Sequence, residues 1–178
     1  MEFTTENYRI RPLVETDVDE SYVEWLRNPE ISRTLDTDGS QQTLESIRAF
    51  VRSKNNKTSF LFGIFTGDGT LIGTHGVHLS PQHKVATIGV MIGDQDYWGK
   101  AVPLETRARM LTWFFDELGF EKVEAGCYAI NYPSIFNFKK QGWEVEGVRK
   151  AHRIVDGAPV DLILFGLLKA DWHDRRKS

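Results

Sequence analysis

Five histidines, one cysteine and a scatter of carboxylates are the side chains of this 178-residue chain best suited to moving protons or holding a metal. His75 and His78 lie in a β-prone stretch, Thr70 to Leu79, three residues apart. On a strand that odd spacing turns them to opposite faces, so they cannot share one ion. Either imidazole, with an ordinary pKa of about 6.5, would suit a general base at neutral pH. Cys127 sits between Gly126 and Tyr128 with no charged neighbour to make a thiolate, and reads as a small buried hydrophobe. Two phosphate-binding signatures fail. Gly99-Lys100 resembles the end of a Walker loop, but Asp94 stands where glycine is required and Ala101 where serine or threonine is. Gly67, Gly69 and Gly73 lie between two strands at the wrong spacing for a dinucleotide fold. One arrangement survives. The strand Ile88 to Ile92 runs into a polar, aromatic loop holding Gly99 and Lys100, and the loop opens onto a helix at Pro103. Backbone N–H groups and the positive end of a helix dipole converge at such a junction and favour an anion.

The elements that must position these residues follow from periodicity. Tyr8 to Arg11 alternates and meets Pro12, as a short strand does. Thr16 and Asp19 open a helix carrying Val18, Tyr22, Trp25 and Leu26, which Asn28-Pro29 stops. Leu44, Ile47, Phe50 and Val51 share a face of a second helix. Strands follow at Phe60 to Thr66, Thr70 to Leu79 and Lys84 to Ile92. A long helix from Pro103 ends at Gly119. After it come a strand from Val123 to Ile130, a short helix from Asn131 to Gln141, and two strands joined at Asp156-Gly157, a hairpin signal. The order β-α-α-β-β-β-α-β-α-β-β predicts an α+β layer architecture with a mixed sheet. Asp174 to Ser178 reads as a frayed, charged tail.

Composition sets the class. Twenty-two Lys and Arg against 25 Asp and Glu leave a net charge of −3, against a nucleic-acid platform. A single cysteine cannot make an internal disulfide, and no apolar run reaches the roughly 18 residues that cross a bilayer. The N-terminus lacks a signal-peptide core. The expectation is a cytoplasmic monomer or homodimer that binds neither nucleic acid, nor membrane, nor metal.

Three stretches resemble the GNAT superfamily of acyl-CoA-dependent N-acetyltransferases: Ile88 to Lys100, the helix running to Leu118-Gly119-Phe120, and Asn131-Tyr-Pro-Ser134 with Lys140-Gln-Gly142-Trp143. The likeness covers about Tyr8 to Leu168 and is closest to the branch of ribosomal-protein N-terminal and bacterial nucleotide-amino-sugar acetyltransferases. Phe60 to Phe65, Ala125 to Ala129 and Val160 to Leu167 make the second group the nearer. The resemblance implies one GNAT domain over 8–170, with 1–7 and 171–178 as extensions. It also implies a mostly antiparallel mixed sheet of about seven strands flanked by about four helices. The family's pyrophosphate loop, Gln/Arg-x-x-Gly-x-Gly/Ala, falls on Trp98 to Pro103; Gly99 and Lys100 fit the branch, while Trp98, Ala101 and Pro103 depart. Pro103 removes a donor and Ala101 adds a methyl where glycine takes unusual φ values. Lys100 can compensate as a point charge, and the amides of Leu104 and Glu105 would remain for the phosphates. By the same resemblance Met91 and Ile92 pair their backbone with the pantetheine arm, and Asn131 touches it.

Acyl transfer needs a neutral amine, a held oxyanion and a proton for the departing thiolate. Many relatives place a tyrosine donor where Phe138 stands here; Ser134 is the matching hydroxyl in the subgroup without it. Thr87 stands where relatives often carry a glutamate base, which leaves His75, His78 or a water relay. Asp161 matches a branch position that orients His152 or the acceptor. Arg27-Asn28-Pro29 and Arg33 would recognise the acceptor, because guanidinium forks suit phosphates. The resemblance therefore implies transfer from acetyl-CoA to the primary amine of an amino-sugar or nucleotide-linked amino-sugar. Protein or peptide N-terminal acetylation, use of a longer acyl-CoA, and a GNAT-like binding module without turnover are the alternatives.

Overall fold

In the computed structural model, whose described residues are 1–176, period-two alternation decides which side of the sheet each strand residue covers. Strands β1 (Phe3–Thr4), β2 (Arg9–Pro12), β3 (Ser59–Phe65) and β4 (Leu71–Ser80) pair antiparallel in that order, with Ile10 opposite Ile64 and Phe62 opposite His75. On β3, Leu61 and Phe65 join one buried cluster and Ile64 another. The first cluster takes the apolar faces of α1 (Glu20–Arg27), α2 (Pro29–Ser32) and α3 (Leu44–Arg52), through Tyr22, Val23, Leu26, Ile31, Ile47 and Val51. The second packs Ile64 and Ile72 against Val102, the first residue of α4 (Val102–Thr112). These residues belong to one unit, 1–78 with 89–109, and β5 (Val85–Ile92) runs into it at Gly89.

The second unit, 79–88 with the chain from 110 onward, begins with the other half of β5. Val85 to Thr87 pair parallel with Lys122 to Glu124 of β6 (Lys122–Tyr128). β8 (Ala158–Leu168) runs antiparallel to all of β6, and β7 (Glu144–Val155) antiparallel to β8. Asp156 and Gly157, at φ +51° and +78°, make the two-residue turn between β7 and β8 that their types predict. Phe138 of α5 (Tyr132–Lys140) stacks on Phe165 at 4.6 Å and meets Trp143 edge-on at 5.0 Å. The helix after Thr112 widens into a π turn, with the Leu118 amide donating to the Trp113 carbonyl at 3.0 Å, and buries Trp113, Phe114 and Phe115 in succession.

The fold is α+β, with eight strands in a mixed, mostly antiparallel sheet and six helices among the described residues. The additional elements are short ones that pattern alone does not expose. β1 has two residues and is fixed by tertiary contact, Phe3 being buried 5.8 Å from the Phe62 ring. Asn28-Pro29 stops α1 but also starts α2, because the Asn28 Oδ1 accepts from the Glu30 amide and proline is tolerated at a first position. Residues expected to fray belong to α6 (Lys169–Arg175), held by buried Trp172 and by His173, 2.9 Å from Asp116. Lys177 and Ser178 of that expected tail lie outside the described residues. Asp19, not Thr16, caps α1, since Thr16 lies in a short 3-10 turn closed by Asp17.

Asp17 accepts two bonds from the Arg11 guanidinium at 2.7 Å and one from the Val14 amide at 2.9 Å. Burial pushes its pKa up, but those donors outweigh burial and hold it below 3.8. A depressed folded pKa stabilises above the unfolded pKa and is lost as pH falls through the folded one. Asp17→Asn should therefore cost about 1–2 kcal/mol in a urea melt at pH 7, after discounting for Arg11's partial exposure, and much less in acid.

Candidate active site

The loop at the end of β5 is built on a double hydrogen bond. The amides of Gly93 and Asp94 both donate to the Ile72 carbonyl, at 3.0 and 3.1 Å, and turn the chain off the strand. Asp94 then accepts from the Asp96 amide at 3.0 Å and caps a single 3-10 turn, Gln95–Tyr97. The Trp98 indole N–H returns to the Ile92 carbonyl at 3.0 Å. That carbonyl, expected to pair with a pantetheine arm, thus already carries one donor. Gly99 and Ala101 follow with φ of +75° and +58°. Left-handed backbone of this kind forms an anion-binding concavity from successive N–H groups. The amides of Gly99, Ala101 and Val102 make no backbone hydrogen bond among the described residues.

The helix start corrects one expectation. Leu104 and Glu105 donate their amides to the Ala101 carbonyl at 2.9 and 3.1 Å, so neither is left over for phosphate. Pro103 is the second helical residue, after Val102. The donors that fit an anion sit one turn earlier than the sequence suggested. Lys100 is exposed, with its ammonium 4.8 Å from the Tyr97 ring centre. Glu105 accepts from the Asn7 amide at 2.8 Å and its Nδ2 at 3.0 Å. Burial raises the Glu105 pKa, and donors from Thr5 and Asn7 overcome that and lower it. This carboxylate beside the phosphate-type loop is thereby tied to the N-terminal segment.

His75 is not available as a base. Its ring is 0 % exposed, with Nε2 2.8 Å from the Thr106 Oγ1 and Nδ1 3.2 Å from the Gly89 carbonyl. The Thr106 hydroxyl spends its one proton on the Val102 carbonyl at 2.7 Å, so it accepts from Nε2–H in one neutral tautomer, while the Gly89 carbonyl accepts from Nδ1–H in the other. Burial pushes the pKa down to about 3, the Gly89 carbonyl opposing and nearby Arg107 adding to the fall. The imidazole ties β4, β5 and α4 together. His78, on the opposite face as the spacing requires, is exposed beside Ser59 of β3. Cys127 is buried.

Asn131 caps α5, its Oδ1 accepting from the Ser134 amide at 3.2 Å. Asn131 is thus the N-cap, and the half-buried Ser134 hydroxyl makes no hydrogen bond among the described residues. Asp161 accepts from the Ala151 amide at 2.8 Å and from Lys150 at 2.9 Å. The Ala151 amide first, and Lys150 second, lower its pKa. It thus fixes the β7 bulge between Arg149 and Arg153, where Ala151 has φ +48° and His152 stacks 6.5 Å from Tyr128. Arg27 donates to the Gln42 carbonyl at 2.9 Å, Asn28 caps α2, and Arg33 is exposed at the end of α2.

Arg27, Asn28, Arg33, His75, His78 and Met91 to Leu104 all fall in the first unit; Asn131, Ser134 and Asp161 fall in the second. Sequence reasoning missed three residues that shape the first group: Thr106, Trp25 and Asn7. Each acts through a partner distant in sequence, so no local signal marks it.

Residues 7–144 match the Acetyltransferase (GNAT) domain family, and the chain belongs to that family. It is an N-acetyltransferase. The SPbeta prophage-derived uncharacterized N-acetyltransferase YokL of Bacillus subtilis (strain 168) is 26% identical over 172 residues, 96% of this chain and 95% of YokL. The ribosomal L7/L12 α-N-protein acetyltransferase RimL, solved with coenzyme A, superposes with a TM-score of 0.83 at 16% identity, over 94% of this chain and 98% of RimL. Spermidine N-acetyltransferase of Vibrio cholerae, solved with coenzyme A and spermine, gives 0.83 at 15% identity, over 93% and 98%. At these identities the two structures show the shared fold.

Two outcomes follow from the geometry. A histidine whose folded pKa is depressed destabilises as pH falls, because the unfolded chain takes up a proton that the folded ring refuses. Stability should fall with a slope of up to ~1.4 kcal/mol per pH unit between about pH 6 and 4, and His75→Gln should flatten that slope in denaturant titrations. Ala101→Gly should raise stability by roughly 0.5–1 kcal/mol, since a left-handed alanine costs about 1–2 kcal/mol and glycine's extra unfolded entropy returns part of it. A melting curve beside the parent checks it.

Proposed function

We propose that the acceptor is the primary amine of an amino-sugar or nucleotide-linked amino-sugar. The observation that carries the catalytic part of this reading is the loop nest of Gly99, Ala101 and Val102 amides at the end of β5. Three donors within four residues at a helix start, two of them consecutive, fit a pyrophosphate, with the Lys100 side chain as a counter-charge. The Met91 and Ile92 backbone, Trp98 and Asn131 complete the proposed coenzyme contacts, and Leu104 contributes side-chain packing only. Acetyl-CoA supplies the thioester acetyl group. Ser134, in the first turn that Asn131 caps, donates the proton that the departing sulfur needs. His78 or a water takes the proton from the amine. Arg27, whose guanidinium gives one donor to the Gln42 carbonyl, and Arg33 flank α2 with exposed side chains, which would favour a phosphorylated or otherwise anionic acceptor over a polycation. One domain over 8–170 would house all of these groups.

Peptide N-terminal acetylation is the second reading, supported by the RimL likeness. A binding module without turnover is the third, supported by the departures at Trp98, Ala101 and Pro103. Coenzyme A release, measured against amino-sugars, nucleotide-linked amino-sugars, polyamines and N-terminal peptides, separates them. Turnover on the sugars is the expected result. Turnover on peptides or polyamines alone removes the sugar reading, and coenzyme binding without any turnover selects the module. Ser134→Ala should lower kcat about 10²–10⁴-fold with little change in KM for acetyl-CoA or in melting temperature. An unchanged kcat at saturating acceptor would retire Ser134 as the donor.

A further inference from the structure

Helix α1 carries a tryptophan whose ring lies directly on the first residue beyond β5. A Cβ added to Gly93 would meet the Trp25 ring at 2.0, 2.1 and 2.5 Å, so no side chain fits there without moving the indole. Three residues earlier on α1, the buried Tyr22 ring lies 5.4 Å from that of Trp25. Trp25 is thus braced on both sides. Beyond α1, Glu30 of α2 accepts from the Gln95 side chain at 2.8 Å, a contact spanning 65 residues of sequence. Gly93 itself is fixed by its amide on the Ile72 carbonyl, and Gly73, the next residue of β4, would put a Cβ 2.4 Å from the Met91 carbonyl. The segment 25–30 and the segment 93–95 therefore meet at two points, one apolar and one polar, over strands too closely apposed to give way.

We infer that Trp25 and Glu30 are positioning residues that set the conformation of the coenzyme loop from the acceptor side of the molecule, through Gly93 and Gln95. This rests on reading the loop after β5 as the coenzyme site and α1–α2 as the acceptor segment. The consequence is reciprocal: a change in α1–α2 alters coenzyme affinity, and a bound coenzyme stiffens α1–α2. Neither Trp25 nor Glu30 belongs to the loop, so a loss of coenzyme affinity on changing them would have to travel through these two contacts. Gly93→Ala forces the ring aside. Trp25→Ala removes all three ring atoms that the added methyl would meet and leaves space for it.

The test is calorimetric titration of coenzyme A into the full-length parent, Glu30→Ala, Gly93→Ala, Trp25→Ala and the Trp25→Ala/Gly93→Ala double variant, each with a melting curve. Loss of preorganisation should weaken coenzyme binding about threefold in Glu30→Ala and tenfold or more in Gly93→Ala, roughly. Gly93→Ala should cost little further affinity once Trp25 is alanine, a non-additivity that mere destabilisation would not produce. Glu30 is exposed, so Glu30→Ala keeps the test alive if Gly93→Ala fails to fold. If folded Glu30→Ala and Gly93→Ala bind like the parent, or the double variant is simply additive, the coupling is overturned. If the parent itself binds no coenzyme A, the coenzyme reading of the loop falls and takes this inference with it.

Discussion

The Ile72 carbonyl accepts two consecutive amides, from Gly93 and Asp94, and everything at the candidate site depends on that bifurcated end to β5. A strand that continued straight would carry Gln95 to Ala101 along the sheet. Turned off at Gly93, the chain makes one 3-10 turn, lays the Trp98 indole back on the Ile92 carbonyl, and enters α4 through two left-handed residues. The amides that suit an anion are products of this geometry. So is the position of α4, whose Val102 seals a cluster with Ile64 and Ile72 and whose Thr106 reaches His75.

His75 shows how the same constraint divides structure from chemistry. An imidazole in a strand is a reasonable base on residue type alone. Here it is enclosed by β4, by the Gly89 carbonyl of β5 and by Thr106 of α4, in a medium that penalises its charge. It secures the two strands to the helix that begins at the nest. Asn131 and Ser134 show the reverse exchange. Asn131 holds the cap, and the Ser134 hydroxyl has no backbone duty among the described residues.

A general lesson concerns acidic and basic residues near such sites. Glu105, Asp161 and Arg27 each look like ligand-facing charges, and each is engaged by its own chain: Glu105 with Asn7, Asp161 with the β7 bulge, Arg27 with Gln42. Electrostatics that shape a loop also keep like charge away from it. With Glu105 held by neutral donors, its negative charge is kept oriented toward the N-terminal segment, and Lys100 remains exposed on the loop.

The sequence by itself determined the α+β class, the strand and helix order, the Asp156-Gly157 hairpin and the loop that leads into α4, because each rests on local period, turn chemistry or a φ preference readable within a few residues. It also placed His75 and His78 on opposite faces, which follows from strand periodicity alone. The tertiary structure decided the rest. That β1 exists, that Asn28 starts a helix, that His75 is sealed, that the Leu104 and Glu105 amides are occupied and that Trp25 lies on Gly93 all depend on partners far along the chain. Such contacts form only when burial brings distant segments together, and neither propensity nor spacing encodes which polar group will meet which once they do.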